Sequence, residues 1–234
     1  MKITSDEVHI WFYNLKDKTN NNILAGLLSQ DEHDRSCRFA FPYLKNRFVL
    51  VRATLRLILS QYIQEPANKI RFFYGKYGKP HLYQENEIKF NLSHSGDCAV
   101  FAISFKDEIG IDLEEVRKDI YSLDMETICL SKEEQECLVS LSFEERMQSF
   151  YTLWTCKEAV LKGLGCGLVY PIHELEVDIS NAFPKIKSDT LKDWTLYAFP
   201  SPHNFKGTFA VRSEQKKFVF REWQDFADTK CGMI

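Results

Sequence analysis

The sequence predicts an α+β protein made of two similar halves, each a small sheet packed on helices. Three observations carry that expectation. The order strand, helices, strands runs twice along 234 residues; an apolar share of 44% and an aromatic share of 14% supply a packed core; and the second run starts near Ile109 without repeating the residues of the first. The halves are expected at 1–108 and 109–234.

Each element has its own signal. Val8, Ile10 and Phe12 alternate with His9, Trp11 and Tyr13, the period-2 pattern of a strand. Leu44, Phe48, Val51, Leu55, Ile58 and Tyr62 step by three or four, so one helix face stays apolar for about five turns. Residues 70–74 and 98–105 are β-branched and aromatic between Gly, Pro and Asn punctuation, and Lys106-Asp107-Glu108 turns the chain into a further strand at 109–114. Ser131 with Glu134, and Ser142 with Glu145, are capping boxes; the second opens a helix that runs to the cluster Gly163, Gly165, Gly167. Beyond it Leu175, Val177 and Ile179 alternate with Glu174, Glu176 and Asp178, and 194–199, 208–212 and 217–221 complete a C-terminal β meander.

Thirty Lys and Arg against 33 Asp and Glu give a net charge of -3, which argues against a nucleic-acid partner held by phosphate contacts. An anion site has to be local. Residues 35–64 are the place for it, with Arg35, Arg38, Lys45, Arg47, Arg52 and Arg56 and no acidic residue. The seven cysteines are odd in number and form no C-x-x-C pair, which is neither a disulfide framework nor a zinc site. Asp6 and Glu7 stand where a secretory signal needs an apolar core, and no window approaches the ~18 apolar residues of a membrane span, so a cytoplasmic protein with no membrane partner is expected.

Four motifs carry chemistry. Asp112 and Glu114 lie two apart in a strand, so both carboxylates leave one face and can share a hard cation, and Gly110 on that face leaves room for a ligand beside the backbone. Trp154, Glu158 and Lys162 lie one turn apart on a helix, adding a third carboxylate and a cation. Gly75-Lys76-Tyr77-Gly78-Lys79-Pro80-His81 is a turn that offers N–H groups and ammonium charge to a phosphate without the spacing of a P-loop. Asn91-Leu92-Ser93-His94-Ser95-Gly96 is a polar segment just before an apolar strand, with no G-x-S-x-G elbow around either serine. Each also has a bland reading: a wet strand face, an exposed ion pair, a solvated hairpin turn, a structural histidine.

In this order and spacing the motifs resemble the 4'-phosphopantetheinyl transferases, specifically the larger two-half type. The residues that carry the resemblance are Gly78-Lys79-Pro80, Phe90 through Gly96, Gly110-Ile111-Asp112-Leu113-Glu114, and Trp154 through Lys162 with Lys157-Glu158-Ala159. It implies a monomer of two pseudo-symmetric halves with coenzyme A in the cleft between them. It assigns magnesium, or manganese in its place, to Asp112, Glu114 and Glu158. The nucleotide phosphates go to Lys79, Ser93 and His94, with Arg38 and Arg47 as further contacts and Lys162 near the pyrophosphate. The implied reaction moves phosphopantetheine to a serine of an acyl, peptidyl or aryl carrier protein, with Glu158 as ligand, base or both and Lys162 on the leaving phosphate. Cys37 precedes a single Arg38 where some members have adjacent arginines, which leaves Arg35 as a competitor for the 3'-phosphate. Residues 117–125, with Ile120, Tyr121, Leu123 and Met125 beside Arg117 and Lys118, are expected either to meet the carrier or, for Leu123 and Met125, to be ordinary core residues of the second half. The rival readings are another metal-dependent phosphoryl transferase and a non-catalytic paralogue that binds carrier proteins.

Overall fold

In the computed structural model, which describes residues 1–16, 24–83, 87–181, 183–213 and 216–222, the first half runs β1 (Glu7–Asn14), α1 (Gln30–Ser36), α2 (Pro42–Ile63), β2 (Phe72–Tyr74), β3 (Pro80–Leu82), β4 (Ile88–Ser95) and β5 (Cys98–Phe105). The second half runs β6 (Ile109–Glu115), α3 (Leu123–Cys129), α4 (Lys132–Val139), α5 (Phe143–Leu164), β7 (Val177–Asp178), β8 (Lys185–Ile186), β9 (Thr195–Ala198), β10 (Phe205–Val211) and β11 (Lys217–Glu222). Cys231 lies outside the described residues. Pro42 at the first turn opens α2, and both predicted capping boxes are formed at the starts of α4 and α5.

Strand alternation sorts the side chains into three cores. His9, Trp11 and Tyr13 face α2, where Trp11, Tyr13, Phe101 and Ile103 pack on Val51, Leu55, Ile58 and Leu59. Val8 and Ile10 face the other way and meet Val100, Ala102, Ile109, Ile111, Leu113, Phe209 and Val211. That second layer lies between the two sheets, and at roughly 1.5–3 kcal/mol per fully buried aliphatic side chain it outweighs any polar contact in holding the halves together. The third core sits under α5, with Phe150, Leu153, Val160 and Leu161 against Leu175, Leu196 and Ala210.

Sheet topology corrects two expectations. The C-terminal meander stops at β10: the sheet orders are β11-β1-β5-β4 and β6-β10-β9, and β11 runs parallel to β1 from Glu7↔Lys217 to Phe12↔Glu222. Without β11, β1 would be an open edge with unpaired backbone groups. Lys216, just ahead of β11, reaches Asp107 Oδ2 at 2.5 Å and pins the strand's entry. The expected strand at 174–179 shrinks to Val177–Asp178, paired with Lys185–Ile186, because a 3-10 turn at Ile172–Glu174 precedes it and Leu175 buries into the α5 core without joining the ladder. The polar segment 91–96 is mostly strand: Asn91 to Ser95 pair with β5 from Ala102 to Cys98. Among the described residues no helix is long and apolar enough to cross a membrane.

The basic segment is also thinner than its charge count. Glu32, just outside that window, takes Arg52 Nε at 2.7 Å on one oxygen and Arg56 Nε at 2.6 Å on the other, with all three side chains buried. Arg56 further donates to Ala67 O at 3.0 Å and Ile70 O at 2.8 Å, and Arg52 to Tyr74 Oη at 2.9 Å. Two of the six cations therefore anchor the β2–β3 hairpin to α2.

Candidate active site

Backbone contact between β6 and α5 fixes the site. A Cβ on Gly110 would lie 1.9 Å from Ala159 O and 2.3 Å from Gly163 N, so the strand touches the helix backbone directly. Gly163 is held in turn by the Trp194 ring, 2.3 Å from where its own Cβ would sit. The space expected at Gly110 for a ligand is thus filled by the helix.

That contact brings Asp112 and Glu114 of β6 under Glu158 and Lys162 of α5. Asp112 is 1% exposed; its Oδ1 accepts from Lys162 Nζ at 2.5 Å and from Ser93 Oγ at 2.9 Å. Lys162 also donates to Ser93 Oγ at 2.8 Å. Glu114 Oε2 accepts from Ser95 Oγ at 2.7 Å. Burial and then the Asp112 charge raise the Glu114 carboxyl above its usual range, against Ser95, Lys162 and the Trp154 indole. The same two causes raise Glu158, with Lys162 opposing. Asp112 Oδ2 and Glu158 Oε1 are buried without a hydrogen-bond partner.

These features fit a hard cation: three acidic side chains that repel one another, two of them with buried oxygens left over. Among the described residues no group of three or more His, Cys, Asp and Glu side chains is gathered closely enough to ligate one ion. The positive charge beside Asp112 in this structure is the Lys162 ammonium.

Other expected residues fall around this centre. His94 is exposed on β4, and desolvation, then Arg47 and Lys162, hold its imidazole below the usual value. Arg47 donates to Asp97 Oδ1 at 3.1 Å. Arg38 is exposed between α1 and α2, away from the carboxylates' hydrogen bonds. Lys79 turns elsewhere: its ammonium donates to Gly163 O at 2.6 Å, Glu108 Oε2 at 3.1 Å and Ile109 O at 3.2 Å, and burial lowers its pKa. All three of its protons are occupied, two of them capping carbonyls of β6 and α5. Lys79→Met is expected to lower the melting temperature by several degrees, since stranded buried acceptors cost about 1–3 kcal/mol. An unchanged melting temperature with weakened coenzyme A binding in calorimetry returns Lys79 to a phosphate role.

The sequence pattern includes Lys157 but assigns it no role, and it is completely buried. Its ammonium donates to Glu134 Oε2 at 2.5 Å, Cys129 O at 2.9 Å and Ile172 O at 3.2 Å. Neighbours on a helix diverge by about 100°, so Lys157 anchors α5 in its own core while Glu158 faces the site. Cys156 is likewise inert, its thiol pushed up to about 12 by burial.

Two family models match the chain: "4'-phosphopantetheinyl transferase, N-terminal" over residues 17–106 and "4'-phosphopantetheinyl transferase superfamily" over 108–211. The 4'-phosphopantetheinyl transferase HetI of a Nostoc species is 36% identical over 219 residues, covering 90% of each chain. The 4'-phosphopantetheinyl transferase Sfp of Bacillus subtilis is 30% identical, covering 67% of this chain and 69% of that protein. Among solved structures, the holo-[acyl-carrier-protein] synthase of Thermotoga maritima aligns at 21% identity with a TM-score of 0.38, over 47% of this chain and 64% of that one.

Proposed function

The chain belongs to the 4'-phosphopantetheinyl transferase superfamily, and on that premise we propose that its active site is the seam between β4, β6 and α5. The reaction transfers the 4'-phosphopantetheine group of coenzyme A to a serine of an apo carrier protein and releases adenosine 3',5'-bisphosphate. The observation that supports this site is the pair of unpartnered buried oxygens on Asp112 and Glu158, beside Glu114 and Lys162.

Asp112, Glu114 and Glu158 are the residues to hold magnesium, which when bound neutralises charge on the pyrophosphate. Glu158 takes the proton of the attacking serine hydroxyl, directly or through a water. Lys162 places its ammonium on the leaving phosphate, exchanging Asp112 for the phosphate oxygens. His94 and its neighbour Arg47, together with the exposed Arg38, are the residues to meet the nucleotide phosphates of coenzyme A, and Ser93 keeps Lys162 and Asp112 in register. The boundary between halves belongs at 108/109, in the turn from β5 to β6, with β11 returning to the first sheet. A cytoplasmic setting suits the free cysteines, of which Cys37 and Cys137 are exposed and Cys98, Cys129 and Cys156 buried, and a monomer is part of the same proposal. Incubation with coenzyme A, magnesium and an apo carrier protein tests the reading: a carrier that gains the mass of one phosphopantetheine supports it, and an unmodified carrier overturns it.

The carrier surface divides on burial. Tyr121 is 8% exposed and donates to Glu126, which also clamps Arg146, so it is a core residue. Leu123 is 58% and Ile120 48% exposed, near Lys118 over the Phe143 ring, and these form the docking face. Leu123→Asp is expected to lower kcat/KM for the carrier about tenfold with coenzyme A affinity unchanged, whereas Tyr121→Ala lowers the melting temperature. Unaltered carrier kinetics in Leu123→Asp move the docking face elsewhere.

A further inference from the structure

Two strands that share no backbone ladder are joined here by side chains in matching register. Ser93-His94-Ser95 on β4 and Asp112-Leu113-Glu114 on β6 each put like groups two residues apart, hence on one face of their strands. Asn91 Oδ1 accepts from Ile111 N at 2.9 Å, Ser93 Oγ donates to Asp112, and Ser95 Oγ donates to Glu114. Ser95 Oγ also accepts from Glu115 N at 3.1 Å. With that lone pair occupied by a backbone N–H, the single hydroxyl proton is directed at the Glu114 carboxylate.

We propose that Ser95 is a positioning residue for the divalent cation: it holds one oxygen of Glu114 from the other half of the protein, so that the second oxygen is presented on the side of Asp112 and Glu158. This rests on the reading of those three carboxylates as the cation site. Half-buried beside Asp112, the Glu114 carboxylate takes its side-chain hydrogen bond from the Ser95 hydroxyl. Removing the hydroxyl leaves the carboxylate without that donor and turns the Glu115 N–H, which is only half-buried, over to water. Cation binding is thereby tied to the docking of the two halves, because donor and carboxylate belong to different sheets.

The test measures manganese binding to the full-length protein with coenzyme A present, by the spin-resonance signal of free manganese, in wild type, Ser95→Ala and Ser95→Thr. Loss of a partner that orients a metal-binding carboxylate weakens metal affinity by about tenfold or more. Ser95→Ala is expected to show that loss, Ser95→Thr to retain wild-type affinity, and both to melt near wild type in chelator. Equal affinity in wild type and Ser95→Ala overturns the proposal, as does an equal loss in both variants, since a retained hydroxyl has to retain the affinity. A lowered melting temperature with unchanged manganese affinity also overturns it. If wild type itself binds no manganese, the cation-site reading fails first, and that outcome is distinguishable from the other three.

Discussion

Glu158→Gln is expected to abolish phosphopantetheine transfer, by about a thousandfold or more, while leaving the metal-free protein at least as stable as wild type. The activity loss follows from the roles proposed for Glu158, cation ligand and proton acceptor together, where general-base removal alone costs about 10²–10⁴-fold. The stability follows from burial and the Asp112 charge, which raise the Glu158 carboxyl above its ordinary 4.5. A group more easily protonated in the folded chain than in the unfolded one stabilises at low pH and loses that contribution as pH rises through its folded pKa. Ionised Glu158 is therefore a net cost at neutral pH, and glutamine removes it. The advantage of the variant should appear as pH rises above about 4.5, vanish in acid, and shrink when magnesium restores the wild type. Asp112→Asn should lose activity as well but melt lower, because Lys162 and Ser93 both rest on Asp112 Oδ1. Thermal melts in chelator from acid to neutral pH, beside a transfer assay, check both; full transfer by Glu158→Gln at saturating magnesium would remove Glu158 from the reaction.

What the sequence reveals about the fold is what local chemistry determines. Capping boxes at Ser131 and Ser142, and the apolar stripe through Val51, Leu55 and Ile58, are satisfied within a few residues, so they place α4, α5 and α2 correctly. The partner of β11 is a different kind of fact: the residues at 217–222 pair with β1 more than two hundred positions away, and strand character alone does not say which edge needs covering. The same holds for Leu175, whose place in the alternation reflects burial under α5, while the ladder itself is confined to Val177 and Asp178.

At the site, spacing finds side chains that act from one element and misses what neighbouring elements do to them. Asp112, Glu114, Glu158 and Lys162 are legible because i,i+2 on a strand and i,i+4 on a helix fix a common face. Lys79, Arg52 and Arg56 look like free cations because their acceptors, Gly163 O and Glu108 for the first and Glu32 for the others, lie on other elements. Gly110 is the instructive case, since the absence of a side chain does signal close approach there. What approaches is the carbonyl of Ala159, and only the packed structure identifies it.

Gly110→Ala turns that contact into a measurement. Its new methyl would sit 1.9 Å from Ala159 O and 2.3 Å from Gly163 N, both backbone atoms of α5, so no flexible side chain can yield. Overpacking costs about 1–3 kcal/mol in ordinary cores, and the upper end applies where backbone must move. At about 2–4 °C per kcal/mol for a chain of this size, the melting temperature should fall by about 10 °C. Activity should fall further than stability alone explains, because Asp112 and Glu114 ride on β6 while Glu158 and Lys162 ride on α5, and a displacement of about 1 Å between reacting groups can cost a hundredfold. Gly207→Ala on β10 is the comparison: its methyl would meet the Phe199 ring at 2.3 Å, a side chain that can turn aside within the core between the sheets, so β6, which Gly207 pairs at Leu113, need not move against α5. The Gly207 variant should therefore lose stability with transfer reduced only in proportion to the folded fraction. If both variants show the same ratio of lost activity to lost stability, the Gly110 contact holds the fold together without setting the distance between β6 and α5 that the chemistry uses.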